Sequence, residues 1–220
     1  MISWFKNKNH PPFWKAYQNT FKDNLPGSFE NTRFVVFDTE TTGLNTSSAK
    51  ILSIGAVGIS NNKIVISDSF EVYLRQVEFN PDTVEIHGIL KEGNLKKLDE
   101  AEAIELFLKF IKNAVLIAHH ASFDIGMINT TLKRMKLPKL KNKSIDTGIL
   151  YKKIEGKKDN HFSLDILCDE FDIPKHDRHT ASGDAFITAL LFLKIISKLK
   201  QERTLLYSDL FKNQDNNSLL

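Results

Sequence analysis

Two acidic residues directly follow a run of apolar residues that has the composition of a buried strand. The run from Phe34 to Phe37 reads Phe-Val-Val-Phe, and Asp38 and Glu40 come after it. Because residues two apart in an extended chain point to the same side, both carboxylates would face one direction. Such a pair repels and is costly to desolvate, so a bound cation would stabilise it. Hard divalent ions such as Mg²⁺ are held by one or two carboxylates together with substrate phosphate.

Two more acids stand where helices are predicted to begin. Ser122 is predicted to cap a helix, which places Asp124 in its first turn. Asp184 opens an apolar helix, and at about 100° per residue it falls on the stripe formed by Ile187, Leu191 and Ile195. An acid on a core-facing stripe requires a partner.

The order and spacing of these acids resemble those of a known enzyme family. Asp38, Glu40, Asp124 and Asp184, with His179 five residues before the last acid, resemble the DEDDh 3′-5′ exonucleases, the group of the DNA polymerase III epsilon proofreading subunit. The segment 37–44 matches the family pattern throughout, whereas His120 replaces the usual Asn of the second segment. The third segment matches at residues 179 and 183–185, and weaker matches occur at 86–89 and 146–147.

The resemblance implies a fold, a cofactor and a set of site residues. The implied fold class is α/β, with a ribonuclease-H-like mixed five-stranded sheet flanked by helices. The implied cofactors are two divalent cations, Mg or Mn, with Asp38 between them, Glu40 and Asp184 completing one site and Asp124 supporting the other. His179 would be the general base. The residues expected to contact substrate are Thr41, Gly43, Leu44, His87 and Phe123.

Several of these residues also have structural interpretations that the sequence leaves open. His179 could be an ordinary loop histidine, and Phe123 could be a core residue rather than a platform for a base. Ten basic residues against two acids lie between 133 and 158. They form either a flank that follows the phosphates beside the acidic site or a solvated loop.

Hydrophobic patterns predict the elements that must position these side chains. Strands are expected at 33–38, 50–59, 63–73, 114–118 and near 145, and helices at 98–112, 122–135, 163–171 and 180–199, with a further helical stretch from about 82. Asn61-Asn62 predicts a tight hairpin. We divide the chain into an N-terminal appendage (1–32) whose aromatic residues pack on the domain or on a partner, an exonuclease domain (33–200) and a C-terminal tail (201–220). Residues 208–220 are expected to fray.

Composition indicates the cellular compartment in which the protein is expected. The 220 residues carry a net charge of +3, and Cys168 is the single cysteine. An internal disulfide is therefore excluded, and with no cleavable signal pattern we expect a cytoplasmic location. No uncharged stretch reaches membrane-spanning length, so no membrane contact is expected.

The sequence favours a metal-dependent exonuclease that removes 5′-mononucleotides from single-stranded 3′ ends. The Asp-Thr-Glu of residues 38–40 is typical of the epsilon group, whereas oligoribonucleases usually have Asp-Leu-Glu, so DNA is favoured over RNA. The alternatives are an RNA-trimming exoribonuclease and a polymerase-associated nucleic-acid-binding adaptor. The expected partners are DNA or RNA 3′ ends, and a DNA polymerase subunit is a further candidate.

Overall fold

The computed structural model describes residues 10–22, 27–77, 84, 88–89, 95–155 and 162–211. Six strands are found within these residues: β1 (Phe34–Thr41), β2 (Ile51–Ser60), β3 (Lys63–Leu74), β4 (Lys97–Leu98), β5 (Val115–Ala118) and β6 (Ser144–Asp146). The helices are α1 (Pro12–Asn19), α2 (Glu100–Ile111), α3 (Ala121–Arg134), α4 (Thr147–Glu155), α5 (Leu164–Glu170) and α6 (Ala181–Glu202), followed by a 3-10 helix at Tyr207–Phe211.

The strands form one mixed sheet in the order β4-β3-β2-β1-β5-β6. β2 is antiparallel to both β1 and β3, whereas β5 is parallel to β1 and to β6. The α/β class and the helix-flanked mixed sheet are confirmed, but the expected count of five strands is wrong for the described residues. The additional strand, β4, has only two residues and pairs with the end of β3, so it is too short to show an alternating pattern.

The central strand β1 is buried on both faces, as its apolar run predicts. Val35 and Phe37 belong to a core cluster with residues of α1, α2 and α3. Phe34 and Val36 belong to a second cluster with residues of α4, α5 and α6. Asp38 and Glu40 continue the alternation of this second set, so both carboxylates are directed to the α6 side of the sheet.

The termini of the described chain pack on the same domain. Trp14 and Tyr17 of α1 are 0% and 3% exposed, which agrees with the expected packing of the N-terminal aromatics. Leu210 is buried in the second core cluster, so the expectation that residues 208–220 fray is wrong up to Phe211. The apolar side of the short 3-10 helix explains this result. The domain boundaries themselves stay a prediction.

Two further local predictions have different outcomes. Asn61 and Asn62 have φ values of 51° and 57°, the left-handed pair that a two-residue hairpin turn requires, so the predicted turn is confirmed. Helix α4 was not predicted, because Gly148 and the nearby lysines interrupt the short apolar pattern in its sequence. Most of the helical stretch expected from about residue 82 lies outside the described residues.

Candidate active site

The sheet opens at the carboxyl end of β1. The pairing of β1 with β5 extends from Phe34 to Val36 and does not reach the acids. Beyond it, the backbone N–H of Thr39 donates to Asp124 Oδ1 at 3.0 Å instead of to a strand, and the Thr39 hydroxyl donates to the same oxygen at 2.7 Å. Divergence of neighbouring parallel strands at their carboxyl ends creates a crevice in which α/β proteins bind ligands.

Three of the four predicted acids meet in this crevice. Asp38, Glu40 and Asp184 each offer a carboxylate oxygen, and these oxygens all lie within 4.8 Å of one another. Asp184 lies in the first turn of α6 and is 7% exposed, as expected for an acid on the core-facing stripe. The arrangement of the three acids is consistent with binding of a divalent cation.

Two glycines allow the start of α6 to pack closely on β2 and on the turn that precedes the helix. A Cβ atom on Gly55, which is opposite Asp38 in β2, would lie 2.2 Å from the Ala181 carbonyl carbon. A Cβ on Gly183 would lie 2.0 Å from the Asp177 carbonyl oxygen. Any larger residue at either position would displace the helix start, and with it Asp184.

The turn before α6 holds the Asp184 carboxylate from the backbone and from a side chain. The Thr180 hydroxyl caps the helix by accepting the Gly183 N–H at 3.1 Å. His179, in the left-handed region with φ 63°, donates its backbone N–H to Asp184 Oδ2 at 3.3 Å. Arg178 Nη1 donates to the same oxygen, so the turn places the positively charged guanidinium of Arg178 directly beside the acids.

Asp124 approaches from the other face of the sheet and is not part of the three-acid cluster. It is buried in the first turn of α3, where Thr39 fixes one of its oxygens. The predicted N-cap at Ser122 is wrong, because the N-cap residue is His120, in the left-handed conformation. The carboxylate of Asp146 supplies the cap from β6 by accepting the Ala121 N–H at 2.8 Å.

Burial and mutual repulsion make the ionised state of these acids costly. Burial, followed by the charges of Asp124, Asp184 and Glu40, raises the pKa of Asp38 well above its usual range. Burial, followed by Asp184 and Asp124, raises the pKa of Glu40 to about 7. Burial also raises the pKa of Asp124, against the opposing hydrogen bonds from Thr39. The raised pKa values indicate that Arg178 alone does not compensate the negative charge of the acids.

A buried oxygen without a partner shows that the residues fit a divalent cation. Among the described residues, Asp184 Oδ1 is buried and has no hydrogen-bond partner. A buried carboxylate oxygen in this state is costly unless a donor or a cation meets it. Asp38 and Glu40 supply the additional oxygen ligands that a hard divalent ion requires.

The residues expected to contact substrate are placed as follows. Leu44 lies in the loop after β1 and is 87% exposed. Gly43 beside it is half-buried. Thr41 is buried, and its hydroxyl donates to the Gly43 carbonyl at 2.8 Å. Phe123 is partly buried against the first core cluster. His87 lies outside the described residues.

The basic residues between 133 and 143 do not lie beside the acids. Helix α3 begins at the acidic end of the sheet and its 14 residues extend about 20 Å towards the other end. Lys143 precedes β6, whose first residue pairs with Leu116 near the start of β5. Residues 133–143 therefore lie at the opposite end of the sheet from the acids, and they do not form the expected flank that follows the phosphates beside the site.

Sequence reasoning missed three residues that support the site: Thr39, Arg178 and Asp165. Thr39 lies between two predicted acids in the sequence and contacts Asp124, and Arg178 precedes the predicted base and contacts Asp184. A polar residue within a buried strand and an arginine beside a predicted base were the available signals. Asp165 could not be found, because its contact with Arg178 depends on the packing of α5 against α6.

Comparison with known proteins identifies the family. The family model described as Exonuclease matches residues 35–192. The chain belongs to this exonuclease family. The DNA polymerase III epsilon subunit of Salmonella typhimurium is 37% identical over 174 residues, which cover 74% of this chain and 70% of that protein. The expected resemblance to the epsilon-type exonucleases is therefore confirmed.

Other similar proteins are much longer than this chain. A DNA polymerase III PolC-type protein of Halalkalibacterium halodurans is 37% identical over 180 residues, which cover 81% of this chain but 12% of that protein. E. coli Exonuclease I in complex with a dA16 oligonucleotide has a similar fold, with a TM-score of 0.68 at 15% identity over 78% of this chain and 42% of that chain. Within the described residues, no helix has the length and apolar content needed to cross a membrane.

Proposed function

We propose that this protein is a metal-dependent 3′-5′ exonuclease that acts on single-stranded ends and prefers DNA. The observation that carries the proposal is the meeting of Asp38, Glu40 and Asp184 around the unpartnered Oδ1 of Asp184. An exonuclease family model that covers most of the chain supports it. The function is thus argued from the site and not from the fold alone.

Each acid has a defined role in this proposal. Asp38, Glu40 and Asp184 would hold divalent ions, Mg or Mn, and Asp124 would support them from the opposite face of the sheet. When bound, such ions neutralise charge at the phosphodiester and stabilise both the attacking and the leaving oxygen.

His179 is the proposed general base that accepts a proton from the attacking water. The residue is exposed at the end of the turn before α6, so its imidazole is open to water and substrate. A neutral imidazole nitrogen can accept a proton from an attacking water as a general base. Its backbone contact with Asp184 keeps the turn next to the acids.

The loop after β1 is the proposed binding site of the terminal nucleotide. The exposed Leu44 would pack against the last base, while Thr41 and Gly43 would shape the loop around sugar and phosphate. Phe123 and His87 are the proposed stacking or sugar contacts, since aromatic side chains stabilise bases by stacking. If the loop accepts one nucleotide at a time and water displaces the 3′ oxygen of the preceding nucleotide from phosphorus, each turnover releases a 5′-mononucleotide.

The preference for DNA is supported by the names of the relatives. The relatives described above are DNA polymerase III proteins, which also makes a DNA polymerase subunit the proposed protein partner. An RNA-trimming exonuclease is the second candidate within the same chemistry. A non-catalytic adaptor would be expected to lose acids, and the sequence retains Asp38, Glu40, Asp124, Asp184 and His179. The single cysteine fits the proposed cytoplasmic location.

Incubation of the purified protein with matched 5′-labelled DNA and RNA tests the proposal. Single- and double-stranded forms are compared with Mg²⁺, with Mn²⁺ and with a chelator. We expect single-stranded DNA to be shortened fastest, and only with metal. Faster loss of RNA would favour the exoribonuclease, and tight binding of single strands without hydrolysis would favour the adaptor.

A further inference from the structure

The guanidinium of Arg178 links two carboxylates that come from different helices. Its Nη1 donates to Asp184 Oδ2 in α6, while its Nε and Nη2 donate to the two oxygens of Asp165 in α5, each at 2.9 Å. The Arg178 side chain is only 16% exposed. A planar guanidinium held by such a fork has little freedom of orientation.

These contacts divide the two oxygens of Asp184 into different roles. Oδ2 accepts from Arg178 and from the backbone N–H of His179. Oδ1 is buried and has no hydrogen-bond partner among the described residues. Because Oδ2 is fixed by two donors, the direction of Oδ1 is fixed as well.

We propose that Arg178 is a positioning residue for the cation site. Anchored by Asp165, it holds Asp184 through Oδ2 and leaves Oδ1 directed to the ion. The inference rests on the proposed function, because it concerns the same acids. Groups that orient metal ligands from outside the coordination sphere typically change metal affinity by about 10–100-fold when removed.

A purely electrostatic role of Arg178 predicts the opposite change. A guanidinium next to the acids repels a divalent ion, so its removal would strengthen ion binding if charge alone mattered. Positioning predicts that the same removal weakens ion binding. The sign of the change in affinity therefore separates the two roles.

The test is calorimetric titration of Mn²⁺ alone into the wild-type protein and the variants Arg178→Gln, Arg178→Lys and Asp165→Ala. We expect each variant to bind Mn²⁺ at least about tenfold more weakly than the wild type. Lysine keeps the charge but lacks the fork that joins both carboxylates, so it should not restore affinity. Asp165→Ala retains Arg178 but removes the carboxylate that anchors it. Arg178→Lys, which keeps the charge, covers the case in which Arg178→Gln does not fold, which circular dichroism would show.

Arg33→Gln is the matched control. Arg33 forms the same fork with Asp68, with both contacts at 2.8 Å, but it lies at the opposite end of the sheet from the acids. Its loss should lower the melting temperature while leaving Mn²⁺ affinity unchanged.

Unchanged or tighter Mn²⁺ binding by Arg178→Gln, or full affinity in Arg178→Lys, would overturn the positioning role and leave the proposed function intact. If the wild-type protein itself bound no Mn²⁺, the proposed function would fail instead.

Discussion

Replacing Glu40 with Gln should stabilise the protein in the absence of metal, and the gain should depend on pH. The pKa of Glu40 rises from 4.5 to about 7, first through burial and then through Asp184 and Asp124. A carboxyl group with a raised pKa adds stability while it is protonated, and this contribution is lost as pH rises through about 7. Gln resembles the protonated form at every pH, so the variant should not show this loss.

The size of the effect follows from the shift. At about 1.4 kcal/mol per pKa unit, the rise from 4.5 to about 7 corresponds to about 3.5 kcal/mol at most. Because solvent screens the half-buried carboxylate, ionised Glu40 is expected to cost the fold about 3 kcal/mol above pH 8. For a chain of this length, that is about 6–12 °C in melting temperature. Near pH 4, wild type and variant should melt together, and the difference should develop between about pH 4.5 and 8.

Thermal unfolding in a chelating buffer, followed by circular dichroism from pH 4 to 9, measures this difference. Glu105→Gln is the control, because Glu105 forms a helix-surface ion pair with Lys109 that contributes only about 0.3–0.5 kcal/mol. Added Mg²⁺ should reverse the order, since it stabilises the wild type more than a variant that lacks one ligand. If Glu40→Gln raised the melting temperature equally at pH 5 and pH 8, or did not raise it at pH 8, the proposed repulsion among the acids would be refuted.

Three further predictions concern residues of the same site. Asp38→Ala should abolish hydrolysis of single-stranded DNA but leave metal-free stability unchanged or higher, because it removes a ligand and relieves repulsion; substantial Mg²⁺-dependent activity would contradict its role. His179→Ala should lower kcat by about a hundredfold or more while calorimetry still shows metal binding; loss of metal binding would show a ligand instead of a base. Gly55→Ala should destabilise the fold and weaken Mn²⁺ binding, because the new Cβ meets the backbone of Ala181 at 2.2 Å; unchanged affinity would show that the start of α6 tolerates displacement.

The sequence was most informative where a local pattern and a spacing agreed. The apolar run before Asp38 identified a strand buried on both faces, and the two-residue spacing of Asp38 and Glu40 correctly placed both carboxylates on one side. The helical period likewise placed Asp184 on the core-facing stripe. These inferences depend only on the backbone period, which determines which residues of a strand or helix share a face.

The sequence was least informative where the structure depends on contacts between distant segments. Ser122 was the expected cap of α3, yet Asp146 supplies that cap from another strand. Asp165 and Arg178 join only because α5 packs beside α6. The basic residues 133–143 are close to Asp124 in sequence but far from it in space, because α3 carries the chain to the opposite end of the sheet.

The direction and end requirement of hydrolysis test the central proposal most directly. A 5′-labelled single-stranded DNA, the same sequence closed into a circle, and a 3′-blocked form are incubated with the protein and Mg²⁺. The proposal predicts a descending series of 5′-labelled fragments from the free 3′ end, together with released 5′-mononucleotides. It predicts no cleavage of the circle and slow attack on the blocked end. Efficient cutting of the circle, or shortening from the 5′ end, would contradict it.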